Sequence, residues 1–388
     1  MLRPMVALFF DAAGYSAAWV GLFMALHAVI PVLFAMPAGQ LIDRIGPRKS
    51  VLYGSLIMVF SGACHMAGGL TGLLAPTLLG QLANGLGCLL CWGAMQASVG
   101  QIARSGADTA RSNHMLSNFA FVNSLAQFGG PILGGVLADY QGYTPVFAVY
   151  AALSVMCALC SFAIPSLGKD GAERTGEEAA AGKAAFLSLD FLKSYGNGVR
   201  LLKENRPFST AMIFNGMLFV LVDMKGTFFP IYLAGMGYTG TRIGMILSFG
   251  GIASILVRPF VGALIHRLGF RTIMYGGLWI GCLCLITLVF EPGYAGMILV
   301  VFLWGLCAGI NQPVALIMVA NTVSSGRQGM GMSLRTMVNR IIQVVNPVAI
   351  SAVSAVIGLT YSFGFIAALL LGGGYLLRKS LAVNPQAE

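Results

Sequence analysis

Gly39-Gln40-Leu41-Ile42-Asp43-Arg44-Ile45-Gly46-Pro47-Arg48-Lys49 is a short, charged, glycine-punctuated stretch set between two long apolar runs. It returns, altered, as Gly262-Ala263-Leu264-Ile265-His266-Arg267-Leu268-Gly269-Phe270-Arg271. The offset is 223 residues, and the same offset pairs Gly14-Tyr15 with Gly237-Tyr238, Gly21 with Gly244 and Gly54 with Gly277. A gapless match over roughly forty positions is an internal repeat. It divides the chain into halves at 1–165 and 207–380, joined by 166–206.

Working outward from that stretch, the composition says membrane. Charged residues are 9% of the 388, against about 25% in soluble domains. Hydrophobic residues are 57% and the mean hydropathy is +0.82. The chain has room for about a dozen segments of ~20 residues with short connections. A formal charge of +10 raises nucleic acid as a partner, but the placement of the charges excludes it. Seventeen of the 23 Lys and Arg fall in loops that alternation puts on one side: Arg44, Arg48, Lys49, Arg104, Arg111, the run from Lys169 to Arg206, Arg267, Arg271, Arg327, Arg378 and Lys379. That bias predicts a multi-pass protein of the cell inner membrane with those loops and the C-terminus cytoplasmic.

The apolar spans are predicted at about Ala17–Ala38, Ser50–Leu70, Leu73–Ile102, His114–Ala138 and Pro145–Ile164 in the first half. In the second half they are Phe208–Ala234, Thr241–Ile265, Thr272–Phe290, Tyr294–Ala320, Met330–Ile357 and Tyr361–Leu377. The first span is odd. By the offset Met1 aligns with Met224, deep in an apolar helix, so Met1–Ala13 reaches only ~20 Å at 1.5 Å per residue. It is expected to be truncated, through a misassigned start codon or a deletion. Between the halves, Lys169–Lys183 reads as a disordered linker. The stretch Phe186–Leu202 reads either as an amphipathic helix on the membrane surface or as a solvated linker helix.

The eight cysteines include two CxxC pairs, Cys88/Cys91 and Cys157/Cys160, yet all lie in apolar runs without His or carboxylate support. Small packing residues account for them better than a metal site does. No nucleotide-phosphate loop, nucleophile elbow or HExxH motif occurs. Neither an enzyme nor an ATP-driven pump is expected, and no cofactor or metal is implied.

Gly39-x-x-x-Asp43-Arg44-x-Gly46-x-Arg48-Lys49 resembles the loop signature of the major facilitator superfamily, which follows the second helix of each half. The resemblance covers nearly the whole chain. It implies an all-α polytopic membrane protein with the major facilitator fold, two six-helix bundles related by pseudo-two-fold symmetry. The implied activity is secondary transport of a small molecule across the lipid bilayer by a monomer. In the family this loop clasps the two bundles, so Gly39, Asp43, Arg44, Gly46 and Arg48 are expected as conformational-switch residues. Gly262, His266, Arg267, Gly269 and Arg271 are their second-half counterparts. Arg335 is the expected partner of Asp43. His266 stands where Asp43 would, which makes that clasp weaker or pH-sensitive. Gly130-Pro131-x-x-Gly134-Gly135 resembles the family's antiporter motif, with Ala126 replacing its usual leading glycine. Span 4 has Gln81 and then Asn84-Gly85 where proton-using relatives often carry an arginine.

Ionisable residues at membrane depth are functional candidates by default. Asp223 and Lys225 sit near the middle of span 7, Arg340 lies two turns into span 11, and Arg3 aligns with Gly226 by the repeat. Asp11 lies near the outer end of span 1. Asp223 reads as a proton-carrying carboxylate or as half of a static ion pair with Arg340 or Lys225. His27 and Asn84 are further candidates, each with a packing role as its alternative. The sequence therefore predicts proton-coupled export of a small organic solute, a drug or metabolite. The alternatives are uptake or exchange of a small organic anion, and a non-transporting sensor or lipid-handling scaffold.

Overall fold

The computed structural model of the chain describes residues 1–104, 109–164, 196, 200–322 and 328–382. All regular elements among them are helices. In chain order they are α1 (Leu2–Ala12), α2 (Ala17–Thr71), α3 (Leu74–Arg104), α4 (Thr109–Gln141) and α5 (Tyr143–Ser161). There follow α6 (Arg206–Gly235), α7 (Gly240–Val257), a 3-10 turn (Arg258–Phe260) and α8 (Val261–Leu268). The chain continues through α9 (Phe270–Val289), α10 (Tyr294–Thr322), α11 (Gln328–Ile357) and α12 (Leu359–Ala382). Among the described residues, nine stretches are long and apolar enough to cross a bilayer. The predicted linker and most of Phe186–Leu202 lie outside the described residues. The helical residues 200–204 carry an exposed Arg200–Glu204 pair at 2.6 Å, which water screens.

Polarity is distributed as a hydrocarbon solvent demands. Phe60, Leu133, Leu159, Trp279 and Leu283 are exposed, whereas Gln81, Asn84, Asn215, Asp223, Arg335 and Asn346 are buried. Apolar side chains cost nothing against lipid, and polar ones must find partners inside.

The quoted stretch is not a loop. Helix runs through it, and only Gly46 leaves helical space, at φ 80°, ψ 163°. Pro47 then restarts the helix, where its missing N–H costs nothing. Ser50 Oγ donates to the Gly46 carbonyl at 2.8 Å. At the repeat position Gly269 separates α8 from α9 with φ 78°, ψ 150°. A Cβ at either glycine would meet nothing within 4 Å. The left-handed backbone alone is what demands glycine there. The 223-residue repeat is thus a repeat of backbone conformation as well as of sequence.

The chain groups into two compact units. One comprises Leu26–Phe119 and Phe147–Glu204. Within it α2, α3 and α5 meet almost backbone to backbone. A Cβ on Gly54 would lie 2.9 Å from the Gly87 carbonyl, and one on Gly62 would lie 2.7 Å from Ala151 Cβ. Ala38, Ile42, Val51, Leu89, Leu90 and Ala94 form a core that Leu41, Ile57 and Cys157 close over.

The other unit comprises Met1–Ala25, Ala120–Val146 and Asn205–Glu388. There α10 packs on α7 and α9, α9 on α12, and α6 on α1, α10 and α11. Gly305 lies against Gly250 at the α10–α7 crossing, and Ser254 Oγ donates to the Gly305 carbonyl at 2.8 Å. Small residues at crossings and hydroxyl donors across them are how helices associate in lipid, where no hydrophobic force pulls them together.

Candidate functional site

Asn205 begins α6, its side chain accepting the Phe208 amide at 3.0 Å. About five turns on, α6 buries Asp223 completely. Both carboxylate oxygens are taken. Arg3 of α1 forms an ion pair with Oδ1, and Asn346 Nδ2 of α11 donates to Oδ2 at 2.8 Å. Arg3 lies flat against Gly226, where a Cβ would stand 3.8 Å from its Cδ and Nη1. A larger residue at 226 would push the guanidinium away. A charged pair at this depth survives only because each charge answers the other, and losing one partner costs about 3–5 kcal/mol.

Lys225 leaves the same helix on another face. Its ammonium sits 3.1 Å from where a Gly250 Cβ would be, beside Val301 of α10. It does not pair with Asp223, and neither does Arg340, which donates to Gln343 at 2.9 Å on its own helix. Arg335 is buried and donates its Nε to Asn215 Oδ1 at 3.1 Å. Asn215 Nδ2 donates on to Asn339 Oδ1 at 2.7 Å, tying α6 to α11.

The Gly130-Pro131 stretch of α4 lies between two neighbours, α1 and α7. A Cβ on Gly130 would meet the Met1 nitrogen at 2.9 Å, and one on Gly134 the Met5 Cγ at 2.8 Å, both on α1. On the other side, a Cβ on Gly135 would meet the Gly240 carbonyl and one on Gly244 the Pro131 carbonyl. Ser248 Oγ donates to the Phe128 carbonyl at 2.5 Å, and Arg258 donates to Ser124 Oγ. Where α4 ends, the oxygens of Asp139 accept the Gly240 and Thr241 amides at 2.7 Å each. A recess of about 610 Å³ opens beside it, lined by Tyr140, Thr239, Arg242, Met245 and Tyr294. So α4 and α7 touch from Asp139 down to Ser124, which small residues and carbonyl-directed donors make possible.

Of the signature residues, Arg48 lies over the Phe162 ring at 5.5 Å, inside the α2–α3–α5 unit. His266 and Arg267 stand exposed in the last turn of α8, with Gly262 exposed a turn earlier. Gly39 and the side chains of Asp43, Arg44 and Arg271 lie outside the described residues, as does any test of an Asp43–Arg335 contact. Asn84 donates to the Tyr150 hydroxyl at 3.1 Å and accepts from Cys88 at 3.1 Å, joining α3 to α5. The His27 carbonyl lies against Gly85. Asp11 is half-buried in the last turn of α1.

A family model described as Major Facilitator Superfamily matches residues 1–296 and again 226–387, two overlapping matches that together cover nearly the whole chain. The chain belongs to the major facilitator superfamily.

Within that superfamily it is similar to proteins named multidrug resistance protein MdtD from Salmonella typhimurium (strain LT2) and Salmonella paratyphi B. Each is 24% identical over 63% of this chain. The aligned part is 59% of those relatives' length, so the chain spans about three-fifths of them. Among solved structures, a POT family transporter in complex with 5-aminolevulinic acid superposes with a TM-score of 0.76 at 14% identity. It covers 99% of this chain and 92% of that one. The nucleoside transporter NupG gives 0.74 at 14%, covering 97% and 94%. These likenesses carry the major facilitator fold and nothing finer.

The structure gathers Asp223 and Arg3, both singled out in the sequence, and adds Asn346, which was not. Asn346 stands before Pro347 in an apolar run of α11. A lone amide at the depth of a charged pair is the signal that could have found it. Asp139 gave no such signal, because a carboxylate at a helix end reads as an ordinary solvated charge.

Proposed function

We propose that this superfamily member is a secondary active transporter that exports a small organic solute in exchange for protons. The observation that carries the reading is the buried Arg3–Asp223–Asn346 cluster, which joins three helices at mid-membrane. A proton arriving on Asp223 would cancel its charge, release the Arg3 guanidinium and weaken the hold of α6 on α1. That is a carboxylate whose protonation changes helix packing, the element a proton-coupled cycle needs. The halves 1–165 and 207–380 would rock about this depth. The signature stretches would act as inner clasps, and the α4–α7 seam as the outer closure. The relatives named for multidrug resistance support export as the direction. In this reading the protein works as a monomer in the cell inner membrane, with its C-terminus cytoplasmic.

Uptake or exchange of an organic anion is the second reading, favoured by Lys225 of α6, which makes no ion pair among the described residues. Everted membrane vesicles holding an imposed pH gradient separate the two. Lumenal pH is followed while lipophilic cations and small organic acids are added to vesicles with the protein or its Asp223→Asn variant. A substrate-triggered collapse of the gradient that Asp223→Asn abolishes is expected. A gradient that no compound disturbs, from folded protein, overturns proton-coupled export.

A further inference from the structure

The two CxxC pairs, Cys88/Cys91 on α3 and Cys157/Cys160 on α5, lie in one compact unit, and helix register brings them together. Asn84 of α3 donates to the Tyr150 hydroxyl of α5 at 3.1 Å, across a sequence separation of 66 residues. Seven residues further along each helix, which is about two turns, the same separation pairs Cys91 with Cys157. Those two side chains are hydrogen-bonded to each other. Cys157 also packs against the core to which Val51, Leu89 and Leu90 belong.

Helix α2 supplies the floor of this contact. A Cβ on Gly54 would stand 2.7 Å from the Cys91 sulfur. Ser55 Oγ lies 3.6 Å from that sulfur, and the Cys91 thiol donates to the Val51 carbonyl at 3.6 Å. Cys88 instead donates to Asn84 Oδ1 at 3.1 Å, and Cys160 is exposed. The contact therefore joins the second cysteine of one pair to the first of the other. Either thiol alone would be a small packing residue. Two in contact from different helices can also be joined, and their bridging leaves no charge in an apolar span, where charge is costly.

We propose that Cys91 and Cys157 are a redox-active pair that closes to a disulfide between α3 and α5. One S–S bond forms and two S–H bonds break. The two electrons and two protons pass to a lipid-soluble quinone, which leaves as the quinol. Access is from the lipid side, because Cys157 is half-buried beside Leu153, Met156 and Cys160, all of them exposed. The bridge braces the α2–α3–α5 unit by restricting the unfolded chain between its ends, and a dithiol reductant reopens it. None of this depends on which solute is carried or on what drives it.

Purified full-length protein, first reduced, is incubated in detergent with decylubiquinone, then denatured and alkylated, and its peptides are weighed. The wild type is expected to lose two of its eight thiols and to yield one peptide pair joined through Cys91 and Cys157, which dithiothreitol separates. Its thermal unfolding midpoint should rise on oxidation and return on reduction. Cys91→Ser and Cys157→Ser should each keep all their remaining thiols, whereas Cys88→Ser and Cys160→Ser should still lose two. A wild type that keeps every thiol, a bridge to Cys88 or Cys160 in place of the expected one, or a thiol loss that survives in Cys157→Ser overturns the proposal. A Cys91–Cys157 bridge that leaves the midpoint unmoved overturns the bracing.

Discussion

Asp139 and Thr241 meet where α4 ends and α7 begins, the carboxylate taking the Thr241 amide at 2.7 Å while its second oxygen takes that of Gly240. Thr239 Oγ1 takes the Arg242 amide at 3.4 Å. Three of the four open N–H groups at the start of α7 are thus answered, two of them by a side chain from another helix. The positive end of the α7 dipole favours the same charge.

Replacing that carboxylate tests the closure. Partial burial opposes ionisation of Asp139, but the Thr241 hydroxyl and amide, the Gly240 amide and Thr239 outweigh it and hold the carboxyl below its ordinary value. A depressed folded-state pKa stabilises above the unfolded value near 3.9, and the stabilisation is lost as pH falls through the folded one. Asp139→Ala is expected to cost about 1 kcal/mol at neutral pH. The gap to wild type should shrink below about pH 4, read by thermal unfolding across pH. A gap that stays constant to low pH would mean that the charge does not matter.

The Arg3–Asp223 pair makes a different prediction, because burial raises the stakes. Asp223→Leu or Arg3→Met alone leaves one desolvated charge and is expected to cost about 3–5 kcal/mol. The double variant Arg3→Met/Asp223→Leu removes both charges and should recover much of that loss. Unfolding midpoints of the four proteins close a double-mutant cycle. Additive losses would show that the two charges do not support each other.

The success with Arg3 and the miss with its partner have one physical cause. Hydropathy and the 223-residue repeat give depth along a helix, and by the repeat Arg3 takes the same depth in the first half that Gly226 has in the second. They do not give azimuth. Asp223, Lys225 and Arg340 share a level, so the sequence offered Arg340 or Lys225 as the partner of Asp223. Rotation around α6 instead sends Asp223 towards α1 and α11 and Lys225 towards α10. The spans were legible because lipid imposes one long apolar period on each. The signature stretch was misread as a loop for a related reason. Its charges and glycines look like a turn, yet a single left-handed residue suffices to redirect a helix whose flanks are good helix formers. Asp139 stayed hidden because its role is set by another helix 101 residues away.

The left-handed junctions supply a matched pair of predictions with opposite signs. Gly46 and Gly269 adopt φ 80° and 78°, and a Cβ at either would find open space. Alanine there is strained only through its backbone, and Gly46→Ala or Gly269→Ala is expected to destabilise by about 1–2 kcal/mol. Glu291, just past the end of α9, is the one non-glycine among the described residues with positive φ, at 48°. It sits where helices prefer a C-terminal glycine. Glu291→Gly should therefore stabilise by about 0.5–1 kcal/mol, part of the relief being offset by the greater freedom of glycine in the unfolded chain. Unfolding midpoints measured side by side in one detergent decide it. If all three substitutions move stability in the same direction, side-chain contacts rather than backbone conformation govern these junctions.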